Sequence, residues 1–232
     1  MVADSTEEQQ IEAIKNWINE NGVSLAVSIV VVLAGLFGYN TWQTQTREAG
    51  ESASAIYEEL VEAVTVTGIE ALSDEKLATS KFLANQLKQD YKDSTYALFA
   101  AMHLAKLAVE NDDLPAAASE LQWVMDQEPE AGLGIIANLR LAKVKYAQQQ
   151  YDAALQQLDA MPPGSHAGSY EELRGDIYYA MERMDEAREA YQRAVAAQVE
   201  APSPFTQMKL DDLIAPRTVV TMEEPSDSDE EN

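Results

Sequence analysis

From Asn21 to Thr46 the chain carries no charged residue, and this run restricts the fold more than any other feature. Its most apolar part, Gly22 to Tyr39, holds about 18 residues, which as a helix reach roughly 27 Å, close to the ~30 Å hydrocarbon core of a bilayer. Trp17 lies before this core, and Tyr39 and Trp42 close it. Trp17 and Trp42 would stand about 37 Å apart on a helix, near the ~40 Å of a bilayer with its headgroups. Aromatic rings at both ends are the belt expected at the two interfaces. The run therefore predicts one transmembrane helix.

Two other readings compete with it. A cleaved signal peptide wants a basic leader, a shorter apolar stretch and a nearby small-residue cleavage site. Here the leader is acidic, with Asp4, Glu7, Glu8, Glu12 and Glu20 against Lys15, and the one suitable triplet, Ala53-Ser54-Ala55, lies far downstream. A buried core helix would need other apolar segments of similar length, and the sequence has none. Lys15 on one flank and Arg47 on the other leave the positive-inside comparison nearly tied, so the charges alone do not orient the span. Ala34 and Gly38 form a small-xxx-small pair, which permits close helix packing but also arises by chance in a Gly/Ala-rich span.

Before the span, Ile11, Ile14, Trp17 and Ile18 make an apolar stripe on a short helix, with Asn21-Gly22 as its natural stop or kink. After it, the helical pattern continues through Ala55, Ile56, Leu60 and Val64 to about Val66, and Thr67-Gly68 punctuates it. Ser73 reads as the N-cap of a helix over 74–89, with Phe82, Leu83 and Leu87 on one face.

From Thr95 a repeat emerges. Leu104-Ala105 is followed by Ala117, Leu121 and Val124; Leu141-Ala142 by Ala154, Leu158 and Met161; Arg174-Gly175 by Ala187, Tyr191 and Ala194. Ala105, Ala142 and Gly175 are 37 and 33 residues apart, and so are Ala117, Ala154 and Ala187. A period near 34 marks tetratricopeptide-type helix pairs. The extra residues of the first interval are expected near Pro129 to Gly134, where turn residues make insertion cheap. In each unit the small residue of the first helix and the Ala of the second let two antiparallel helices approach, and neighbouring units must stack to bury their apolar faces. A non-repetitive bundle with coincidental Ala spacing is the alternative. Pro202 and Pro204 break the last repeat helix. Phe205, Met208, Leu210, Leu213 and Ile214 suggest a closing helix, ended by Pro216.

The expected fold is thus all-α: a single N-terminal transmembrane helix followed by a tetratricopeptide-like helical-repeat solenoid. Residues 1–20 form a short amphipathic segment, 21–42 the span, 43–93 a linking helix and a packing helix, 94–200 the repeats, 201–215 the closing helix, and 216–232 an acidic tail. That tail has six acidic residues against one basic and reads as disordered. Ser226 and Ser228 stand in an acidic context that an acidophilic kinase accepts, although a plain solvated tail explains the same composition.

With 40 acidic against 16 basic residues, the net charge of −24 argues against binding nucleic acid or anionic lipid headgroups. No Cys is present, so no thiolate nucleophile, disulfide or thiolate metal site exists. No Gly-x-Ser-x-Gly elbow or phosphate-cradling loop occurs. His103 and His166 lie far apart, and neither has a second ligand at a metal spacing. The sequence thus predicts no enzyme, no cofactor, no metal and no small-molecule substrate.

What remains is the repeat groove. Counted from the aligned small residues, its lining is Phe99, Met102, Lys106 and Val109, then Ile136, Leu139, Lys143 and Tyr146, then Ser169, Glu172, Asp176 and Tyr179. A mixed apolar and polar lining suits a peptide or helix of a protein partner. Alternatively, several of these are core residues covered by the 51–66 or 202–214 helices.

Four stretches carry a resemblance to a known family. They are Gln10 to Lys15 with Glu20-Asn21-Gly22 leading into the span; Asn138-Leu139-Arg140-Leu141-Ala142-Lys143-Val144; Asp152-Ala153-Ala154-Leu155 with Leu158-Asp159; and Leu173-Arg174-Gly175-Asp176 with Met208-Lys209-Leu210. Over about residues 10–214 the chain resembles the YfgM family, the ancillary subunit of the bacterial SecYEG translocon. The resemblance implies a single-pass protein of the bacterial inner membrane, its N-terminus cytoplasmic and its repeats periplasmic. It also implies partnership with SecYEG, with a PpiD-like membrane-anchored chaperone and with exported proteins passing to periplasmic chaperones. The acidic tail departs from the family pattern. A structural scaffold of an envelope or membrane complex, without client contact, and a repeat protein facing the cytoplasm are the competing readings.

Overall fold

The computed structural model describes residues 4–64, 73–197 and 203–214. Every regular element among them is helical, with no strand, so the all-α expectation holds. Thr67-Gly68, Pro202 and the tail from Pro216 onward lie outside the described residues. The chain divides into two compact units, Met1–Tyr96 and Ala97–Asn232.

The first unit holds α1 (Asp4–Val64) and α2 (Asp74–Asp90), which pack on each other. α1 runs unbroken through Asn21-Gly22, where the sequence suggested a stop. Locally, the Asn21 side chain donates 3.1 Å back to the Trp17 carbonyl, so it joins the helical turn instead of capping it. The apolar stretch is uncovered: Val23 is 79% exposed and Phe37 76%, and none of the most apolar window is buried. Length and composition suit this helix to cross a membrane. Further along, Ala53 and Leu60 are buried. α2 starts as expected, the Ser73 hydroxyl accepting from the Lys76 amide at 3.3 Å. Its buried face is Ser80, Leu83, Ala84 and Leu87, spaced i, i+3, i+4, i+7. Phe82 does not share that face; it is 67% exposed, because its neighbour Leu83 centres the stripe and Phe82 stands about 100° away.

In the second unit, α3 (Thr95–Glu110) pairs with α4 (Leu114–Asp126), α5 (Ala131–Ala147) with α6 (Tyr151–Asp159), and α7 (Ala167–Ala180) with α8 (Met184–Ala197). The aligned small residues sit in the interior: Ala105 is 3% exposed, Ala142 is fully buried, and Ala117, Ala154 and Ala187 are all at 0%. Opposite them stand Leu121, Leu158 and Tyr191, in the cores of successive repeats.

The turns repeat with the same intervals. Asp112, Gln149 and Glu182 each take positive φ, at 58°, 61° and 60°. The following amides, of Asp113, Gln150 and Arg183, donate back to the carbonyls of Ala108, Lys145 and Tyr178 at 2.8, 2.9 and 2.9 Å. That is the Schellman closure of a helix C-terminus, here three times over without glycine. The spacings 149 − 112 = 37 and 182 − 149 = 33 match those of the small residues, so backbone and side chains report one repeat.

The longer first interval resolves differently from expectation. Only 127–130 connect α4 to α5, and Ala131 to Gly134 continue as the first turn of α5. α4 and α5 have 13 and 17 residues against 9 and 14 in α6 and α7, so the extra length became helix. After a 3-10 turn at Gly164–His166 and the α7–α8 pair, α9 (Pro204–Ile214) closes the array against α8. Its buried side is Thr206 and Leu210, whereas Phe205 and Met208 are 70% and 54% exposed. The apolar letters mark the helix, but the docked face is set by register with Ala187 and Tyr191.

Candidate protein-binding groove

α3, α4 and α5 enclose a cleft of about 400 Å³. Apolar side chains form its floor: Met102 and Val109 from α3, Leu114 and Leu121 from α4, and Val144 from α5. Lys106, Glu110, Arg140 and Lys143 stand at its edge. Lys106 pairs with Glu110 at 3.4 Å, one turn along the same exposed helix face. The cleft thus gathers Met102, Lys106, Val109 and Lys143 from the predicted lining. Arg140, Glu110 and Leu114 were not among the predicted residues, because the reading followed one helix stripe and the cleft opens across three helices.

The predicted residues differ in burial. Phe99 and Tyr179 are on the surface, at 39% and 50% exposure. Met102 and Leu139 are largely core, at 7% and 9%: Met102 packs with Ala101, Val124 and Ala137, and Leu139 with Ala142, Leu158 and Tyr170. Ile136 and Tyr146 are half-buried against those same clusters, and Ser169 is half-buried on α7. Tyr146 meets the Tyr151 ring at 6.0 Å between centroids.

Glu172 and Asp176 are taken by the closing helix. Lys209 of α9 places its ammonium 2.9 Å from Glu172, and 2.7 and 3.0 Å from the two oxygens of Asp176. The Tyr191 hydroxyl donates to Asp176 at 2.7 Å, and the Lys209 ammonium lies 5.8 Å from the Tyr191 ring centre. Burial alone would lower Lys209, but its hydrogen bonds to Asp176 and Glu172 outweigh that and hold its pKa above the usual lysine value. Burial and the bond to Asp176 push the Tyr191 phenol well up, so it stays a donor. The Tyr146 phenol is raised chiefly by burial, then by Asp176 and Tyr151, with Lys209 opposing. In the third repeat, then, an internal helix fills the place assigned to a partner. Sequence could have offered one signal for it: Lys209 is a lone cation inside the apolar run of α9.

Replacing Lys209 by Met removes the cation and leaves Glu172 and Asp176 facing each other one turn apart. Loss of these charge-assisted bonds is expected to loosen α9 by about 1–3 kcal/mol. Amide hydrogen exchange over α9 should then quicken roughly tenfold or more, with the amides of α5 and α6 unchanged. Equal protection in the variant would mean that Leu210 and Leu213 hold α9 alone.

His103 is half-buried on α3. Burial lowers its pKa, Lys106 adds to that and Glu110 opposes, and its Nε2 has no partner among the described residues. No cluster of metal-ligating side chains occurs among the described residues.

With this geometry in hand, comparison with known proteins decides the family. A model of the tetratricopeptide repeat-like domain matches residues 15–215. The ancillary SecYEG translocon subunit of Escherichia coli (strain K12) is 32% identical over 208 residues, covering 89% of this chain and 96% of that protein. The chain belongs to the ancillary SecYEG translocon subunit family. Its namesake from Aggregatibacter actinomycetemcomitans is 32% identical over 207 residues, 89% of this chain and 97% of the relative. The one from Neisseria gonorrhoeae is 26% identical over 215 residues, 92% and 100%. The family match runs through α9 and stops at Ala215, before the acidic tail. The resemblance stated from four sequence stretches is therefore correct.

Proposed function

We propose that this chain is a membrane-anchored adaptor of the Sec translocon. α1 fixes it in the bacterial inner membrane with its N-terminus cytoplasmic, and the repeats work in the periplasm. There they help exported proteins pass from SecYEG to periplasmic chaperones, among them a PpiD-like partner. The observation that carries this reading is a single polypeptide joining an uncovered apolar helix to a repeat array with an open cleft. The name shared by its relatives supports the translocon as the place of work. Phe99, Lys106, Val109, Ile136, Lys143, Tyr146, Ser169 and Tyr179, with the part of Met102 that reaches the cleft, are the proposed contact positions. No catalytic step is assigned to the chain.

A mild-detergent pull-down tests the proposal, using the full chain and a version lacking residues 1–46. Translocon components should co-purify with the full chain; their absence from both would defeat it. A reporter fused after Asn232 should be active only if it reaches the periplasm, and activity confined to the cytoplasm would defeat the orientation. Photo-crosslinkers at Tyr146 or Tyr179 should label many exported chains, whereas a single fixed partner would favour the scaffold reading. The anchor has its own test. Val31→Lys puts a charge at mid-span, at a cost of about 2.5–3.5 kcal/mol for insertion. The variant should shift measurably out of the membrane fraction, and an unchanged distribution would count against the span.

A further inference from the structure

The cleft between α3, α4 and α5 combines two properties. Its floor is apolar, and its rim carries Lys106, Arg140 and Lys143 against Glu110 alone. These are three of only 16 cations in a chain of net charge −24. Lys106 is partly neutralised by Glu110, but Arg140 and Lys143 have no ion-pair partner among the described residues. Such a site selects a segment that places one or two apolar side chains next to carboxylates.

The chain contains such a segment. Val219, Val220 and Met222 are followed by Glu223, Glu224, Asp227, Asp229, Glu230 and Glu231. This stretch lies beyond the end of the family match at residue 215, so the repeat fold does not need it. Val219 to Met222 lie five to eight residues past Ile214, up to roughly 16–29 Å when extended, while adjacent packed helices are only about 10 Å apart. α9 is tied to α7 through Lys209, and α7 packs on α5, whose Arg140 and Lys143 stand at the edge of the cleft.

We propose that the acidic tail, residues 216–232, docks in cis into the cleft of the first two repeats, with Val219 to Met222 on its floor and the following carboxylates against Arg140, Lys143 and Lys106. The tail is then a built-in competitor for the repeat groove, displaced by a partner segment of higher affinity. This goes beyond the adaptor reading and does not rest on the translocon being the partner.

The test uses the full chain in detergent micelles with a benzophenone amino acid at position 222. Irradiation should give intrachain adducts on 102–109 and 140–147. Their yield should fall at least ~5-fold at about 0.5 M NaCl, since exposed ion pairs are screened there. A similar fall is expected in Arg140→Glu/Lys143→Glu. A second variant cannot disturb the repeats: Glu223, Glu224, Asp227, Asp229, Glu230 and Glu231 changed to their amides should lose the adducts equally. Adducts between two copies would assign the cleft to a second chain and overturn the proposal. So would adducts scattered elsewhere, no adducts, or a yield indifferent to salt and to both charge changes.

Discussion

Gly175→Ala should destabilise the repeat domain by about 2–3 kcal/mol, although Ala is the better helix former by roughly 1 kcal/mol. A Cβ at this position would lie 2.5 Å from both Cδ1 and Cε1 of Tyr191 and 3.0 Å from its Cγ. The ring has no easy retreat. Tyr191 is 3% exposed, and its hydroxyl is bonded to Asp176 at 2.7 Å. The same carboxylate is held by Lys209, so moving the ring disturbs the seat of α9 as well. Comparison between repeats makes the size rule plain. Ala105 faces Leu121, Ala142 faces Leu158, and Gly175 faces Tyr191: the larger partner requires the smaller neighbour. Thermal unfolding should move down by roughly 5–10 °C for a domain of this size. Tyr191→Leu in the same chain recreates the pairing of the first two repeats and should recover part of the loss, a coupling that a double-mutant cycle reads directly. A neutral or stabilising Gly175→Ala, with or without the second change, would show that the two helices are not held at this contact.

That size rule is the part of the fold most legible in the sequence. The intervals of 37 and 33 residues locate the small positions, and the positive-φ turns at Asp112, Gln149 and Glu182 fall in the same register. Helix starts were readable where a side chain does the work, as at Ser73. What failed is whatever depends on a partner distant in the chain. Phe82 looks like core by its letter, but Leu83 and Leu87 own the buried stripe. Lys209 meets Glu172 and Asp176 across 37 and 33 residues, and beyond its lone positive charge in α9 the local pattern does not say which carboxylates it will meet. Of the residues assigned to the groove, Lys106, Lys143 and Val109 do line the cleft, because a helix stripe fixes their direction. Met102 and Leu139 turn out to be largely buried, because the boundary between groove and core depends on how closely the next helix packs.

The second large effect is expected at Asn138, a fully buried polar residue between Ala137 and Leu139 on α5. Its amide nitrogen donates to the Gln157 carbonyl at 2.8 Å and to the Tyr170 hydroxyl at 3.1 Å, and its oxygen accepts from the Gln157 amide at 2.6 Å. Tyr170, 1% exposed, donates in turn to the Ile135 carbonyl at 3.0 Å. One side chain thus ties α5 to α6 and α7, across the stacking plane between the second and third repeats. Asn138→Ala should cost about 2–4 kcal/mol, from lost bonds and from the cavity left behind. Asn138→Leu separates the two contributions. It restores the volume but leaves the Gln157 amide and the Tyr170 oxygen facing an apolar group, so it should rescue little. Stacking of repeats is cooperative between nearest neighbours, so the loss should appear as early unfolding of α7, α8 and α9 ahead of α3 and α4. Hydrogen exchange followed through a denaturant series would resolve that order. An Asn138→Leu chain as stable as the parent would mean that the bonds are incidental and that apolar packing alone joins the repeats.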